Sequence, residues 1–193
     1  STPGSRPVAK RPAVTGSSAR AEATGRFVDW AVRLALPLWA GAGFNRDTGR
    51  FEERLTMAGK PIADIPIRLT VQARQVFSYA VASRRGWHPG ALDIVERSFA
   101  AMVRDYYRPD GKDGWVYSIH HDGSIADPRR DLYLHAFALL AIASYVQVTG
   151  KKDALALADE TLKFMDDKMR VRDVGGFVEA LPTSDPVRRQ NPH

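Results

Sequence analysis

Three short stretches of the chain repeat one pattern, in which a glycine precedes an aromatic residue and a short extended run. The aromatic residues are Phe51, Trp115 and Phe177, and the two intervals between them are nearly equal in length. Between successive stretches there is room for a turn and two helices. A unit of one strand and a helical hairpin that recurs at a nearly fixed period predicts a fold built by circling similar modules.

The hydrophobic spacing predicts helices of two kinds. The helix that ends near residue 148 is apolar nearly all round, which is typical of a helix buried on every side, whereas the helix over about 89–107 has one apolar stripe and one charged face. Buried helices that alternate with half-exposed ones predict an all-α (α/α)6 barrel with short β-hairpins between the helices. Six such modules would close the ring, so we expect this chain to form about its first half. The other predicted helices cover about 19–40 and 66–84, and a fifth begins at Asp153.

Local signals predict the boundaries. Residues 1–18 are rich in proline, serine, glycine and alanine and have no hydrophobic period, which predicts a disordered tail before a barrel domain over 19–193. Asp127-Pro128 is the pattern of an N-cap followed by proline at the first helical position, so we expect a helix to begin there. His121-Asp122-Gly123-Ser124, after an extended run, predicts the turn of a β-hairpin.

Composition limits the partners that we expect. The chain has no cysteine, which excludes disulfides and thiolate chemistry and fits a cytoplasmic location. Half of the net charge of +6 comes from Arg6, Lys10 and Arg11 in the tail, and the rest is scattered, so we expect no nucleic-acid partner. No apolar run approaches the roughly 18 residues of a membrane span, so we expect no membrane contact.

Arg74 is the most unusual placement in the sequence. On a helical wheel its neighbours include Val71, Phe77 and Val81, so it lies on the apolar side of a helix that we expect to be an inner one. A buried guanidinium needs an anion or several acceptors, because an unpaired buried charge is costly. Both a structural ion pair and a ligand-binding role remain open for this arginine.

Other polar residues have plainer interpretations. Arg68 faces Gln72 and Tyr79, an ordinary polar face, so we expect it to be structural. Asp131 and His135 stand four residues apart, and the pair is either a catalytic acid/base couple or a helix-start carboxylate beside a satisfied core histidine. The sequence has no phosphate loop, dinucleotide fingerprint, nucleophile elbow or metal-ligand spacing, so we expect no cofactor and no metal.

Three ordered motifs resemble segments of a known family. The motifs are RLTVQARQVFSYA at 68–80, DLYLHAF at 131–137, and GGF at 175–177 followed by RQNPH at 189–193. They resemble, in turn, the arginine helix, the Asp-x-Tyr-x-x-Ala-Phe helix and the approach to the Asn-Pro-His-Met-His segment of the N-acylglucosamine 2-epimerase superfamily, which includes cellobiose 2-epimerases and mannose isomerases. The resemblance covers about residues 25–193 and implies an (α/α)6 barrel.

The same resemblance implies roles for individual residues. Arg74 would be the catalytic arginine, which holds the sugar oxygens where negative charge develops. The residues expected to bind the substrate are Tyr133, Phe137, Asn191 and His193. The acid and base histidines of the family fall outside this sequence, which implies that the 193 residues alone are inactive. The resemblance also implies a small-molecule sugar substrate, no cofactor, and a homodimer of the full-length protein.

The implied activity is the isomerisation or C2 epimerisation of a free aldose or N-acylhexosamine through a cis-enediol intermediate. Within the superfamily, the Arg-Gln-Asn-Pro-His run is most similar to mannose-isomerase-like members. Two alternatives stay open: a glycoside hydrolase or lyase on the same barrel, and a noncatalytic carbohydrate-binding protein. A hydrolase needs two opposed carboxylates at the pocket mouth, and Asp131 is the only acidic candidate on a predicted inner helix.

Overall fold

The computed structural model describes residues 16–173 and 175–182, and most of these residues are helical. The helices are α1 (Gly16–Trp30), α2 (Leu36–Gly41), α3 (Leu69–Arg85), α4 (Ala91–Tyr106), α5 (Leu132–Thr149) and α6 (Leu155–Phe164). The strands are β1 (Phe44–Asn45), β2 (Arg50–Phe51), β3 (Ile67–Arg68), β4 (Ser118–Ile119), β5 (Ile125–Asp127), β6 (Arg130–Asp131) and β7 (Ala180–Leu181). The predicted helices and the predicted hairpin, β4–β5, are present.

The first helix is continuous from α1 to α2 through a wider turn. Ala31–Ala35 is π-helical, and the backbone N–H of Leu36 donates to the carbonyl of Ala31. Pro37 follows directly and has no N–H to continue the ordinary pattern, which accounts for the position of the wide turn. Since α1 begins at Gly16, the helix includes the end of the predicted tail. Residues 1–15 lie outside the described residues.

The structure repeats with the period of the sequence pattern. The inner helices α3 and α5 begin about one period apart, at Leu69 and Leu132, and pack side by side, while α4 and α6 lie outside them. Equivalent antiparallel bridges join the end of each outer helix to the repeated aromatic residue. They connect Phe44 to Phe51, Tyr107 to Trp115, and Arg170 to Phe177. The described residues therefore form an arc of successive strand-and-hairpin modules.

Short strands at the N-terminal ends of the inner helices join each module to the next. β3 leads into α3 and pairs with β4, and the backbone N–H of Leu69 donates to the carbonyl of Tyr117 at 3.0 Å. β6 leads into α5 and pairs with β7, and the N–H of Leu132 donates to the carbonyl of Glu179 at 2.8 Å. The start of each inner helix is thus held by the module that follows it.

The predicted start of the fourth helix at Asp127 was wrong. The helix begins at Leu132, and Asp131 is its N-cap, because the Asp131 carboxylate accepts the backbone N–H of Leu134 at 2.9 Å. The Asp127 carboxylate instead closes a turn by accepting the N–H of Arg129 at 3.0 Å. Asp127 belongs to β5, and β6 follows it before the helix begins. Both strands pair with strands from other segments, and this pairing prevents the helix from starting at the local capping signal.

Helix α5 has 18 residues and is long and apolar enough to cross a membrane, which corrects the expectation that no segment reaches that length. Core helices of soluble proteins have the same composition, and here Leu134, Ala138 and Ile142 are fully buried. The side that carries Tyr133 and Leu140 is exposed, so the helix is buried on one side rather than on every side.

Large apolar side chains line a groove of about 450 Å³ between α1 and α3, among them Phe27, Trp39 and Phe77. Phe27 is 64% exposed, and its neighbour Trp30 is 52% exposed. Exposed apolar patches of this kind favour association, so we expect the isolated chain to self-associate. Size-exclusion chromatography with light scattering should show species heavier than the monomer, and Phe27→Ser with Trp30→Ser should reduce them. A wild-type chain that is monomeric at every concentration would contradict this prediction.

Candidate active site

The two inner helices bring together three of the predicted site residues, at the end of the arc where the inner helices begin. Arg74 lies in the second turn of α3, and Tyr133 and Phe137 lie in the first two turns of α5. Arg74 Nη2 donates a hydrogen bond to the Tyr133 hydroxyl oxygen at 3.2 Å. The guanidinium carbon lies 4.6 Å from the centre of the Phe137 ring. Asn191 and His193 lie outside the described residues.

Arg74 is exposed, whereas the sequence analysis expected it on the buried, apolar side of α3. Phe77, on the same face, is 41% exposed, whereas Gln72 and Tyr79 on the face that reads as polar are fully buried. The buried polar groups are satisfied: the Gln72 side-chain amide exchanges two hydrogen bonds with the backbone of Phe51. The Tyr79 hydroxyl donates to a backbone carbonyl, and burial raises the pKa of Tyr79. The sequence analysis therefore exchanged the buried and the exposed faces of α3: the side with Gln72 and Tyr79 faces the core, and the side with Arg74 and Phe77 is exposed.

The charge of Arg74 has no carboxylate partner within ion-pair distance among the residues that the structure describes. A guanidinium carries five N–H donors, and the hydrogen bond to Tyr133 uses one of them. Its other contact is with the face of the Phe137 ring, which attracts a cation without accepting a conventional hydrogen bond. The remaining donors are accessible to solvent or to a ligand with oxygen acceptors.

Arg68 has a different environment and is structural, as the sequence indicated. Its Nε donates to Glu53 Oε1 at 2.7 Å, and its backbone N–H donates to Glu53 Oε2 at 2.9 Å. The Glu53 side chain is only 3% exposed, so its charge depends on these bonds. The hydrogen bond to Glu53 raises the pKa of Arg68. The pair attaches the segment after β2 to the residue that precedes α3.

We expect Arg68→Lys to lower the free energy of unfolding by about 1–2 kcal/mol, because an ammonium cannot reproduce the guanidinium geometry on a buried carboxylate. Arg85→Lys, at the exposed C-terminal end of α3, is the matched control and should change stability by less than about 0.5 kcal/mol. Urea unfolding followed by circular dichroism measures both. Equal stability of the two variants would show that Glu53 does not require the guanidinium.

Asp131 and His135 do not form an acid/base couple. The buried ring of His135 accepts the backbone N–H of Trp115 on Nε2 at 3.1 Å, and its Nδ1 donates to the backbone carbonyl of Asp131 at 2.7 Å. Burial lowers the pKa of His135 to about 4. Because the Asp131 carboxylate caps α5, both side chains have structural partners, and the core-histidine interpretation is the correct one.

A buried polar cluster beneath the β4–β5 hairpin was missed by the sequence analysis. Arg50 Nε lies 3.0 Å from Asp105 Oδ2, and Arg50 Nη1 donates to the carbonyl of His121 at 3.0 Å. Glu52 Oε2 lies 3.6 Å from His121 Nδ1. The four residues come from three distant segments, so no local spacing marks them. Within 16–173 and 175–182, no group of three or more histidine, aspartate or glutamate side chains is arranged to hold a metal ion.

An arc of inner and outer helices with a basic, aromatic site at the start of the inner helices defines part of an α/α-barrel protein. The family whose model matches is N-acylglucosamine 2-epimerase (GlcNAc 2-epimerase), and the match covers residues 49–193. The chain belongs to this family. The resemblance and the (α/α)6-barrel fold class predicted from the sequence are confirmed.

Two relatives of the chain are named as a sugar isomerase and a sugar epimerase. The chain is 34% identical over 171 residues to a mannose-6-phosphate isomerase of Rhizobium meliloti (strain 1021), a match that covers 88% of this chain and 43% of the relative. It is 34% identical over 90 residues to a cellobiose 2-epimerase of Eubacterium cellulosolvens, covering 47% of this chain and 22% of that protein. The chain therefore spans less than half the length of these relatives.

Solved structures agree on the fold. The cellobiose 2-epimerase from Spirochaeta thermophila DSM 6192 superposes with a TM-score of 0.76 at 26% identity, over 86% of this chain and 41% of that one. A D-mannose isomerase superposes with a TM-score of 0.68 over 86% of this chain and 45% of that one. The second is 14% identical and supports the fold alone.

Proposed function

We propose that the complete protein to which this chain belongs interconverts an aldose with its ketose or with its C2 epimer. The observation that carries the proposal is the Arg74 guanidinium, which has no carboxylate partner among the described residues and is held by Tyr133 and Phe137 with donors left for a ligand. The named relatives are sugar isomerases and epimerases, which supports the same class of reaction.

The chemistry is favoured by hydrogen-bond donors or a cation at the position where negative charge develops. A base removes the proton on C2 of the open-chain sugar, and the C–H electrons form the C1=C2 bond of an enediolate while negative charge moves to the carbonyl oxygen. Donors fixed around that oxygen stabilise the intermediate more than the neutral aldose, which is the role we assign to Arg74. Return of a proton to C1, with transfer of the proton of the C2 hydroxyl to the C1 oxygen, gives the ketose. Return of a proton to the other face of C2 restores the C1 carbonyl and gives the epimer. The acid and base that move the protons are expected to be histidines outside this sequence, as the family resemblance implies.

The preferred substrate in this proposal is a free hexose of the mannose type or an N-acylhexosamine. The D-mannose isomerase of Thermobifida fusca supports the first choice, while the mannose-6-phosphate isomerase supports the mannose skeleton in phosphorylated form. A cytoplasmic location, a homodimer, and the lack of nucleic-acid and membrane partners remain predictions.

The test is an assay of the complete protein in D2O with mannose, glucose, N-acetylmannosamine and cellobiose, and with mannose 6-phosphate to detect a phosphate requirement. NMR should show new sugar signals together with deuterium at C1 or C2, because the removed proton exchanges with solvent in an enediol mechanism. Absence of both product and deuterium with all five sugars would overturn the proposal.

A further inference from the structure

The side chain of Arg74 is oriented by contacts within the protein although it is exposed. An exposed arginine ordinarily samples many rotamers and loses that freedom when it binds a ligand. Here two contacts from the neighbouring inner helix fix the guanidinium, the hydrogen bond to the Tyr133 hydroxyl and the position over the Phe137 ring. Both contacts are made by side chains of the protein itself.

The two aromatic residues form a rigid pair. They are four residues apart on one face of α5, and their rings meet edge to face at 71° with centres 4.8 Å apart. The first turn of α5 is itself fixed, because Asp131 caps it and the N–H of Leu132 is bound by the carbonyl of Glu179. The surface offered to Arg74 is therefore set by the strand pairing between modules.

We infer that Tyr133 and Phe137 are positioning residues that act on the reaction through Arg74. This inference rests on the proposed function and extends it. A donor that is already oriented toward the developing oxyanion needs no reorganisation during the reaction, so its positioning contributes to turnover more than to substrate binding. The hydroxyl of Tyr133 accepts one N–H of the guanidinium, and the ring of Phe137 supports the guanidinium carbon 4.6 Å from its centre.

Two variants of the complete protein remove one contact each. Tyr133→Phe deletes the acceptor and keeps the ring, and Phe137→Leu deletes the aromatic face and keeps an apolar side chain. Each is expected to lower kcat by roughly tenfold, the size of a lost cation–π contact or single hydrogen bond, with KM within about twofold of wild type. Phe137→Tyr keeps the aromatic face and should retain most of the activity. Circular dichroism spectra and melting temperatures verify that each variant is folded.

A double-mutant cycle separates positioning from direct sugar contact. Each variant is combined with Arg74→Met, which removes the guanidinium, and residual activity is followed by deuterium exchange into the sugar. If the aromatic residues act through Arg74, their substitution has no further effect in the Arg74→Met background. Losses that multiply in the double variants, or a rise in KM with unchanged kcat, would overturn the positioning role. A wild-type protein without any sugar turnover would instead overturn the proposed function.

Discussion

Replacing Arg74 by lysine should reduce kcat/KM of the complete protein by about a hundredfold or more, equivalent to about 3 kcal/mol of transition-state stabilisation. Lysine keeps the positive charge but presents a single ammonium instead of a planar fork, and it cannot make the Tyr133 and Phe137 contacts with the same geometry. Because the contact strengthens as the enediolate forms, we expect most of the loss in kcat.

Steady-state kinetics of Arg74→Lys and of a matched control decide this prediction. Arg85→Lys is the control, since it makes the same change on the same helix at an exposed position away from the site. Arg68→Lys is unsuitable because Arg68 satisfies the buried Glu53 carboxylate, so a loss of activity there would mix stability with chemistry. Near-normal turnover by folded Arg74→Lys would show that Arg74 is not the group that stabilises the intermediate.

The sequence was sufficient to predict the modular fold. The spacing of Phe51, Trp115 and Phe177 predicted repeated modules, and the structure gives each of these residues an equivalent bridge to the end of an outer helix. That prediction succeeded because the repeat preserves both the glycine turn and the aromatic residue that follows it. Gly49 and Gly114 both have positive φ, at 75° and 85°, a conformation that side chains rarely adopt.

The orientation of α3 and the start of α5 could not be obtained in the same way. A helical wheel compares side chains only with each other, whereas Gln72 is buried because its amide binds the backbone of Phe51 on another segment. The start of α5 depends on the pairing of β6 with β7, a strand that lies beyond α5 and α6 in the chain. The cluster of Arg50, Asp105 and His121 likewise consists only of long-range contacts.

For Arg74, the sequence predicted which residues lie together but not how their side chains contact one another. The family resemblance selected Arg74, Tyr133 and Phe137, and the structure places the three side chains together. Their arrangement adds what the motifs do not contain, namely that the arginine contacts both aromatic residues. Roles toward a sugar remain predictions for these three residues and for Asn191 and His193.

Replacing His135 is the second change from which we expect a large effect, in this case on the pH dependence of stability. In two successive modules a side chain of the inner helix accepts the backbone N–H of the repeated aromatic residue, but one acceptor is glutamine and the other is histidine. Gln72 and His135 occupy the same position in successive modules, since each is the fourth residue of an inner helix. Gln72 Oε1 accepts the backbone N–H of Phe51 at 2.9 Å, and His135 Nε2 accepts the N–H of Trp115 at 3.1 Å. The glutamine cannot titrate near neutral pH, whereas the imidazole can, so of these two contacts only the second should be sensitive to acid.

The direction of that sensitivity follows from the pKa values. Burial lowers the pKa of folded His135 from 6.5 to about 4, because a proton on Nε2 would be desolvated and would face the Trp115 N–H. Between these pH values the unfolded chain binds a proton that the folded chain does not. The free energy of unfolding is therefore unaffected by His135 above about pH 6.5 and falls as the pH is lowered, by about 3 kcal/mol at pH 4.

His135→Gln isolates this contribution, because it places the residue of the first module in the second. The variant should retain an acceptor for Trp115 but lose the titration, so its stability should depend less on pH than that of the wild type. Denaturant unfolding between pH 7 and pH 4 measures the free energy of unfolding of both proteins. The contribution of the carboxylates is the same in both and cancels when the two pH dependences are subtracted. We expect the wild type to lose about 3 kcal/mol more than the variant over this interval. Parallel pH dependences would mean that His135 accepts a proton in the folded protein as readily as in the unfolded chain.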